Sequence, residues 1–227
     1  MKTIAKRQKV NKLFYNKWPY KVECLVGGSS KIVRQGYQEV IDWCDGQVKK
    51  MDYYYDSRHV DKVKLREFAV AVEQFLDRKD EIQIRTEGSH FSLFCKDTAV
   101  FSNIMKSLKP WLWAVYEPDS KEELEFLISN DNKRVLCDNI PYDKYTYKVI
   151  LKQAPSNVRQ QFSGWSKNYS EDKIKISPQT VKWLDGYYAY KQDPFFYVSD
   201  PYMLTMTRLF LGDNVRRVFE YVPREAA

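Results

Sequence analysis

The segment Asp80–Pro118 constrains the fold more than any other part of the chain. It begins with two runs in which apolar and polar residues alternate, separated by a turn at Glu87–Ser89, and this pattern predicts a β-hairpin. Asp97 then stands where a helix N-cap belongs, ahead of residues with helical apolar spacing. A further strand is predicted over Trp111–Tyr116. The segment therefore predicts strand, turn, strand, helix and strand in succession.

Two elements before this segment complete a folding unit. Trp18–Val26 alternates apolar and polar residues, which predicts a strand, and Asp61–Lys79 has the apolar stripe of an amphipathic helix. Together with the Asp80–Pro118 segment, these elements predict the order β-α-β-β-α-β. This order is the ferredoxin-like arrangement.

The second half of the chain carries short matches to the first half. A predicted strand at Tyr145–Lys152 shares the run Tyr-Lys-Val with the first strand. The predicted strand His90–Lys96 has its expected counterpart in Tyr202–Arg208, and Val115–Glu117 matches Val218–Glu220. These matches predict a second copy of the unit with a much shorter helix. The alternative is chance similarity between two α+β segments of similar composition.

The predicted fold class is α+β, with tandem duplicated ferredoxin-like (RRM-like) β-α-β-β-α-β halves whose antiparallel sheets have helices on one face. The predicted domains are a basic N-terminal arm at 1–17, a first half at 18–141 and a second, shorter half at 142–227. The arm carries lysine and arginine but no acidic residue, so we expect it to be mobile and to stay solvated or lie along phosphates.

The charge balance favours a polyanionic partner. Lysine and arginine number 37 against 30 acidic residues, which gives a net charge of +7, and 15% of the residues are aromatic. A cationic surface attracts phosphates, and aromatic rings stack on bases. The composition therefore favours nucleic-acid binding over the alternative of a basic but inert protein.

Other residue types argue against several classes of site. The four cysteines form no CxxC pair and only two histidines are present, so neither a disulfide framework nor a zinc site is expected. No run approaches the roughly 20 apolar residues of a membrane span. We therefore expect a reducing, cytoplasmic location with no cofactor, no bound metal and no membrane partner. Asp52, Asp56 and Asp61 are left as an alternative metal cluster in a segment without assigned structure.

A ferredoxin-like sheet leaves one face free of helices, and in RNA-recognition modules that face presents aromatic rings to bases. The residues that alternate away from the predicted core form the expected nucleic-acid site: Lys21, Arg85, His90, Phe94, Lys96, Lys148, Lys152 and Arg208. Their cations are expected to contact phosphates, with Phe94 and His90 stacking on bases. The alternative is that the two sheets pack against each other and bury Phe94, Ile150 and Leu204.

A second motif points to catalysis. Tyr188 and Lys191 form a Tyr-x-x-Lys motif that a helix places on one side. This motif resembles the nucleophile of rolling-circle nickases, and the resemblance implies a tyrosine that attacks a DNA phosphodiester with help from a divalent metal. Such enzymes hold the metal with a histidine pair on a central strand, whereas this chain offers only His90-Phe91-Ser92 there.

The sequence therefore predicts a non-enzymatic nucleic-acid-binding protein that favours single-stranded DNA or RNA, and its composition suits a phage or mobile-element protein. Two alternatives stay open. One is a replication-initiator-like nickase that uses Tyr188. The other is a structural or assembly protein, such as a homo-oligomer, that acts through an aromatic interface.

Overall fold

The computed structural model describes residues 5–47, 60–129 and 133–226. Within these ranges the protein has two five-stranded mixed sheets and eight helices, which confirms the predicted α+β class. The chain divides into two compact units, Met1–Leu124 and Glu125–Ala227, whereas the sequence placed the boundary at residue 142.

Within the described residues, the first unit contains the first sheet and four complete helices. Its elements are β1 (Lys6–Lys9), β2 (Tyr20–Leu25), α1 (Ser30–Gln35), α2 (Tyr37–Cys44), α3 (Lys62–Leu76), β3 (Ile82–Glu87), β4 (His90–Cys95), α4 (Thr98–Ser107) and β5 (Leu112–Glu117). Helix α5 (Lys121–Ser129) begins at the end of this unit. The strand order is β1-β5-β2-β4-β3, in which β1 runs parallel to β5 and the other neighbours are antiparallel.

The second unit repeats this sheet order. Its elements are β6 (Arg134–Cys137), β7 (Tyr147–Leu151), α6 (Ser156–Ser166), β8 (Ile174–Ile176), α7 (Pro178–Leu184), β9 (Phe195–Val198), α8 (Pro201–Leu211) and β10 (Val215–Pro223). The order is β6-β10-β7-β9-β8, and the edge strand β6 again runs parallel to the last strand while the other neighbours are antiparallel. Strand β8 was not predicted.

In each unit the helices cover one face of the sheet. The alternation of β2 turns Val22 and Cys24 toward a core that includes Phe68 of α3 and Ile104 of α4. Cys24 and Cys95 are small core residues, and burial raises the pKa of each thiol to about 12. These thiols are therefore protonated and unreactive at neutral pH.

The structure confirms the elements predicted for Asp80–Pro118. The hairpin β3–β4 turns at Gly88, whose φ of 57° suits the left-handed conformation that glycine adopts without strain. The carboxylate of Asp97 accepts hydrogen bonds from the backbone N–H groups of Ala99 and Val100, so it caps α4 as expected.

The predicted strand at Tyr202–Arg208 is wrong, because this segment lies within α8. Asp200 caps the helix and Pro201 occupies its first turn, which are helix-starting signals. The buried residues Met203, Leu204, Thr207 and Leu211 follow helical spacing. The counterpart of β4 is therefore β9, and α8 with 11 residues is not shorter than α4 with 10.

The N-terminal segment that was expected to be a mobile arm contains the edge strand β1, so this prediction needs correction. Lys6–Lys9 pairs with β5, and Arg7 forms an ion pair with Glu117 at 3.0 Å. Val10 and Leu13, which follow the strand, are buried. Backbone pairing and these apolar anchors hold the segment against the sheet despite its charge.

The cap of α8 gives a prediction about stability. The backbone N–H of Met203, the hydroxyl of Ser199 and the ammonium of Lys173 lower the pKa of Asp200. We expect Asp200→Ala to lower the free energy of unfolding at pH 7 by about 1 kcal/mol. A carboxyl with a lowered folded-state pKa stabilises above its ordinary pKa of about 4, so the deficit should shrink as the pH falls below that value.

Urea unfolding followed by tryptophan fluorescence at pH 7 and pH 3 measures this deficit. The exposed Asp213→Ala is the control. An Asp200→Ala deficit as small as that of the control at pH 7 would contradict the capping role.

Candidate nucleic-acid interface

The face of the second sheet opposite the helices, hereafter the second outer face, combines cations with aromatic rings. It consists of the residues of β7, β8, β9 and β10 that alternate with the buried core residues and point to the other side of the sheet. Its members are Lys148, Ile150, Lys175, Phe195, Tyr197, Arg217, Phe219 and Tyr221. None of these described strand positions is acidic, so the face is positively charged.

The cations of the second outer face lie against its rings. The Nζ atom of Lys148 is 3.9 Å from the ring centre of Phe195. That of Lys175 is 4.7 Å from the ring centre of Tyr142 and also forms an ion pair with Glu171. Such contacts hold a charged group over a ring while part of it stays hydrated. This arrangement places positive charge beside flat aromatic surface, as a single strand of nucleic acid requires.

Tyrosines extend this surface. Tyr142 and Tyr145, from the segment between β6 and β7, contact the ring of Tyr197 with centroid distances of 5.8 and 6.0 Å. Burial, followed by the neighbouring Tyr197, raises the pKa of Tyr221 to about 12, and burial also raises the pKa of Tyr197. Both phenols are therefore neutral at physiological pH, and their hydroxyls are hydrogen-bonded to each other, which leaves one O–H of the pair to donate to a phosphate or base oxygen.

The segment between the edge strand and the central strand contains a pair of left-handed residues at the same place in both units. Tyr15 and Asn16 have φ of 51° and 58°, and Tyr142 and Asp143 have φ of 57° and 54°. Left-handed pairs of non-glycine residues are uncommon, and Asn and Asp tolerate them best. The sequences Tyr15–Val22 (YNKWPYKV) and Tyr142–Val149 (YDKYTYKV) share five of eight residues. Extending the Tyr-Lys-Val match backward would have found this signal.

The corresponding face of the first sheet, hereafter the first outer face, is covered where stacking was predicted. Phe94 is only 3% exposed, because Phe14 and Tyr15 lie over its ring with centroid distances of 5.5 and 5.1 Å. The indole Nε1 of Trp18 donates to Oε1 of Gln83 at 2.7 Å and fixes the same segment. The prediction that Phe94 stacks on a base is therefore wrong for this conformation.

A carboxylate occupies the centre of the first outer face. Glu23 Oε2 lies 3.3 Å from Lys21 Nζ and accepts a hydrogen bond from the hydroxyl of Tyr116 at 3.3 Å. Its other oxygen lies 3.1 Å from Nδ1 of His90. Lys21 and His90, both expected to meet nucleic acid, face this acid instead. Sequence reasoning had not included Glu23 in the site.

The other predicted site residues are spread over several surfaces. Arg85 is exposed and lies 5.3 Å from the ring centre of Tyr15, and exposed Lys96 lies 5.9 Å from that of Trp18. Lys152 is exposed one residue past β7. Arg208 is exposed on α8 and so belongs to the helix layer, because the segment predicted as a strand is helical. The eight residues therefore do not form one site.

The Tyr-x-x-Lys motif does not lie on a helix, so that prediction is wrong. Helix α7 ends at Leu184, and Gly186 with φ of 92° turns the chain away before Tyr188 and Lys191. Tyr188 is 48% exposed in an irregular segment. Among the described residues, no group of three or more His, Cys, Asp or Glu side chains is arranged to hold a metal ion. Asp52 and Asp56 lie outside the described ranges.

Comparisons with protein-family models, with curated proteins and with solved structures found no match. None of the helices in the described ranges has the length and apolar character needed to cross a membrane.

The burial of Phe94 gives a prediction that separates a structural role from a binding role. Removing a buried phenylalanine side chain costs about 3–5 kcal/mol, so we expect Phe94→Ala to lower the free energy of unfolding by that amount. Urea unfolding measures the change, with Tyr187→Ala, at a tyrosine that is 78% exposed, as the control. A loss below about 1 kcal/mol would indicate that Phe94 lies on a free surface.

Proposed function

We propose that the protein binds single-stranded DNA or RNA through the second outer face. The observation that carries this proposal is the alternation of Lys148 and Arg217 with the aromatic residues of β9 and β10, without an acidic residue at the described strand positions of that face. The third cation, Lys175, is paired with Glu171 beside the sheet. The first outer face is a poorer candidate because Glu23 occupies its centre and the segment with Phe14 and Tyr15 covers one end.

We also propose that the two units are copies of one ferredoxin-like unit. Three features support this: the same strand order with a parallel edge strand, the left-handed pair before the central strand, and a bulge at the same place in the last strand. The bulge falls between partners of Glu23 and Cys24 in β5 and between Val215 and Arg217 in β10. The shared sequence Tyr-x-Lys-x-x-Tyr-Lys-Val adds independent support.

The binding mode follows from the side chains. Bases stack on the rings of Phe195 and Tyr197, and Lys148 and Arg217 contact phosphates. Stacking needs unpaired bases, so a single strand binds better than a duplex. Rings and cations recognise every base alike, and we therefore expect weak sequence preference.

Removing two cations tests the electrostatic part. Each phosphate contact with a single strand contributes a slope of about −0.7 to the dependence of log K on log salt. The double variant Lys148→Gln, Arg217→Gln should therefore bind a labelled oligothymidylate at least tenfold more weakly, with a slope lower by about 1.4. Fluorescence anisotropy at two salt concentrations measures both quantities. Lys182→Gln, an exposed site on α7, is the control, and an equal loss there would contradict the proposed site.

A substitution that places a carboxylate in the second sheet at the position of Glu23 in the first sheet tests the role of charge more directly. By strand register, Ile150 occupies the place of Glu23, because each lies two residues after the lysine of the Tyr-Lys-Val run. We expect Ile150→Glu to weaken oligothymidylate binding at least tenfold, because the new carboxylate would pair with Lys148 as Glu23 pairs with Lys21.

Glutamine has nearly the same shape as glutamate but no charge, so Ile150→Gln is the matched control. Circular dichroism establishes that both variants are folded. Equal affinity of the two variants would show that charge on this face does not govern binding.

A further inference from the structure

A basic groove lies in the first unit, separate from the second outer face. It has a volume of about 1100 Å³ and forms where the end of α4, the start of β5 and the strand β1 meet. Ligand sites typically occupy about 300–1,000 Å³, so this groove has room for a molecule of nucleotide size. All of its lining residues belong to the first unit, and the inference below does not rest on the proposed function.

The charge of the groove has one sign. Arg7, Lys64, Lys106 and Lys109 line it, and none of the described lining residues is acidic. Arg7 forms an ion pair with Glu117 at 3.0 Å. Within the described residues, the three lysines form no ion pair. Four cations without a lining carboxylate create a strongly positive potential that attracts an anion.

The ordinary structural role of a cation at a helix end explains only part of this pattern. Lys106 lies in the last turn of α4, where a positive charge complements the helix dipole. Arg7 and Lys64 come from β1 and from the first turn of α3, so the dipole of α4 does not account for them. Three separate elements therefore direct positive charge to the same groove.

The wall of the groove is aromatic and apolar. Trp111 and Trp113 line it together with Met105 and Leu112, and both indoles are half-buried. Phe68 packs against the ring of Trp111 with centroids 5.6 Å apart, so this ring is held in place before a ligand arrives. A fixed indole offers a flat surface for stacking at small entropic cost.

We propose that this groove binds a nucleoside triphosphate. The base lies against Trp111, and the phosphates lie among Lys64, Lys106 and Lys109. The charge of a triphosphate matches the surplus of cations, and only a ligand with both a ring and phosphates uses both parts of the groove.

Isothermal titration of the full chain with ATP tests the proposal, with adenosine and inorganic triphosphate as partial ligands. We expect ATP to bind at least tenfold more tightly than either one. The double variant Lys106→Gln, Lys109→Gln should weaken ATP binding at least tenfold. The control with the same charge change is Lys79→Gln combined with Lys182→Gln, two exposed lysines outside the groove, and it should retain the affinity.

The proposal would be overturned by the absence of saturable ATP binding, by an equal loss in the control, by adenosine or inorganic triphosphate binding as tightly as ATP, or by displacement of ATP by a deca-glutamate peptide at equal concentration. The last result would assign the groove to acidic peptides. The variant Lys148→Gln, Arg217→Gln should bind ATP normally. Loss of ATP binding in that variant would move the nucleotide to the second outer face and leave the groove without support.

Discussion

In each unit the connection from the edge strand (β1 or β6) to the central strand (β2 or β7) determines which aromatic rings lie on the outer face. In both sheets the last strand lies between these two strands, so the connection has to pass the end of the last strand. The connection carries aromatic residues onto the face opposite the helices, where they contact Phe94 in the first unit and Tyr197 in the second. Because the strand order makes this connection pass the last strand, the aromatic residues that it carries lie on the outer face of each sheet.

The two outer faces share this frame but differ in charge. At an effective dielectric constant of about 20, opposite charges 4 Å apart attract by about 4 kcal/mol, more than an exposed ion pair provides. Glu23 is largely buried beside Lys21, so it competes well with a phosphate for that lysine. Lys148 lies against the ring of Phe195, and an isoleucine stands two residues after it, where the first sheet has Glu23. The two sheets therefore differ in the residue at this neighbouring position, a carboxylate in the first and an apolar side chain in the second.

Local patterns predicted the local structure. The β3–β4 hairpin, helix α3 and the Asp97 cap follow from alternation, apolar spacing and capping chemistry within a few residues of each other. The strand prediction for Tyr202–Arg208 was wrong because a short run of mixed residues fits both the strand and the helix period, although Asp200 and Pro201 before it are helix-starting signals.

The site was harder to predict because its determinants are far apart in sequence. Phe94 is covered by residues about 80 positions earlier, and Glu23 and His90 meet only through strand pairing. The alternation of apolar and polar residues along a strand predicts which side chains point away from the core, but not which other residues cover those side chains. Lys148 was found because it lies on a clearly alternating strand.

The parallel edge strands have an evolutionary consequence. Strands β1 and β6 each precede a left-handed pair and a central strand, so on the proposed duplication the copied segment already included the edge strand and its connection. The ancestral polypeptide then had five strands of its own in roughly half the present length, and its sheet needed no strand from a second copy. On the same proposal, divergence after the copying acted on side chains such as Glu23 and Ile150 while the order of the strands stayed the same.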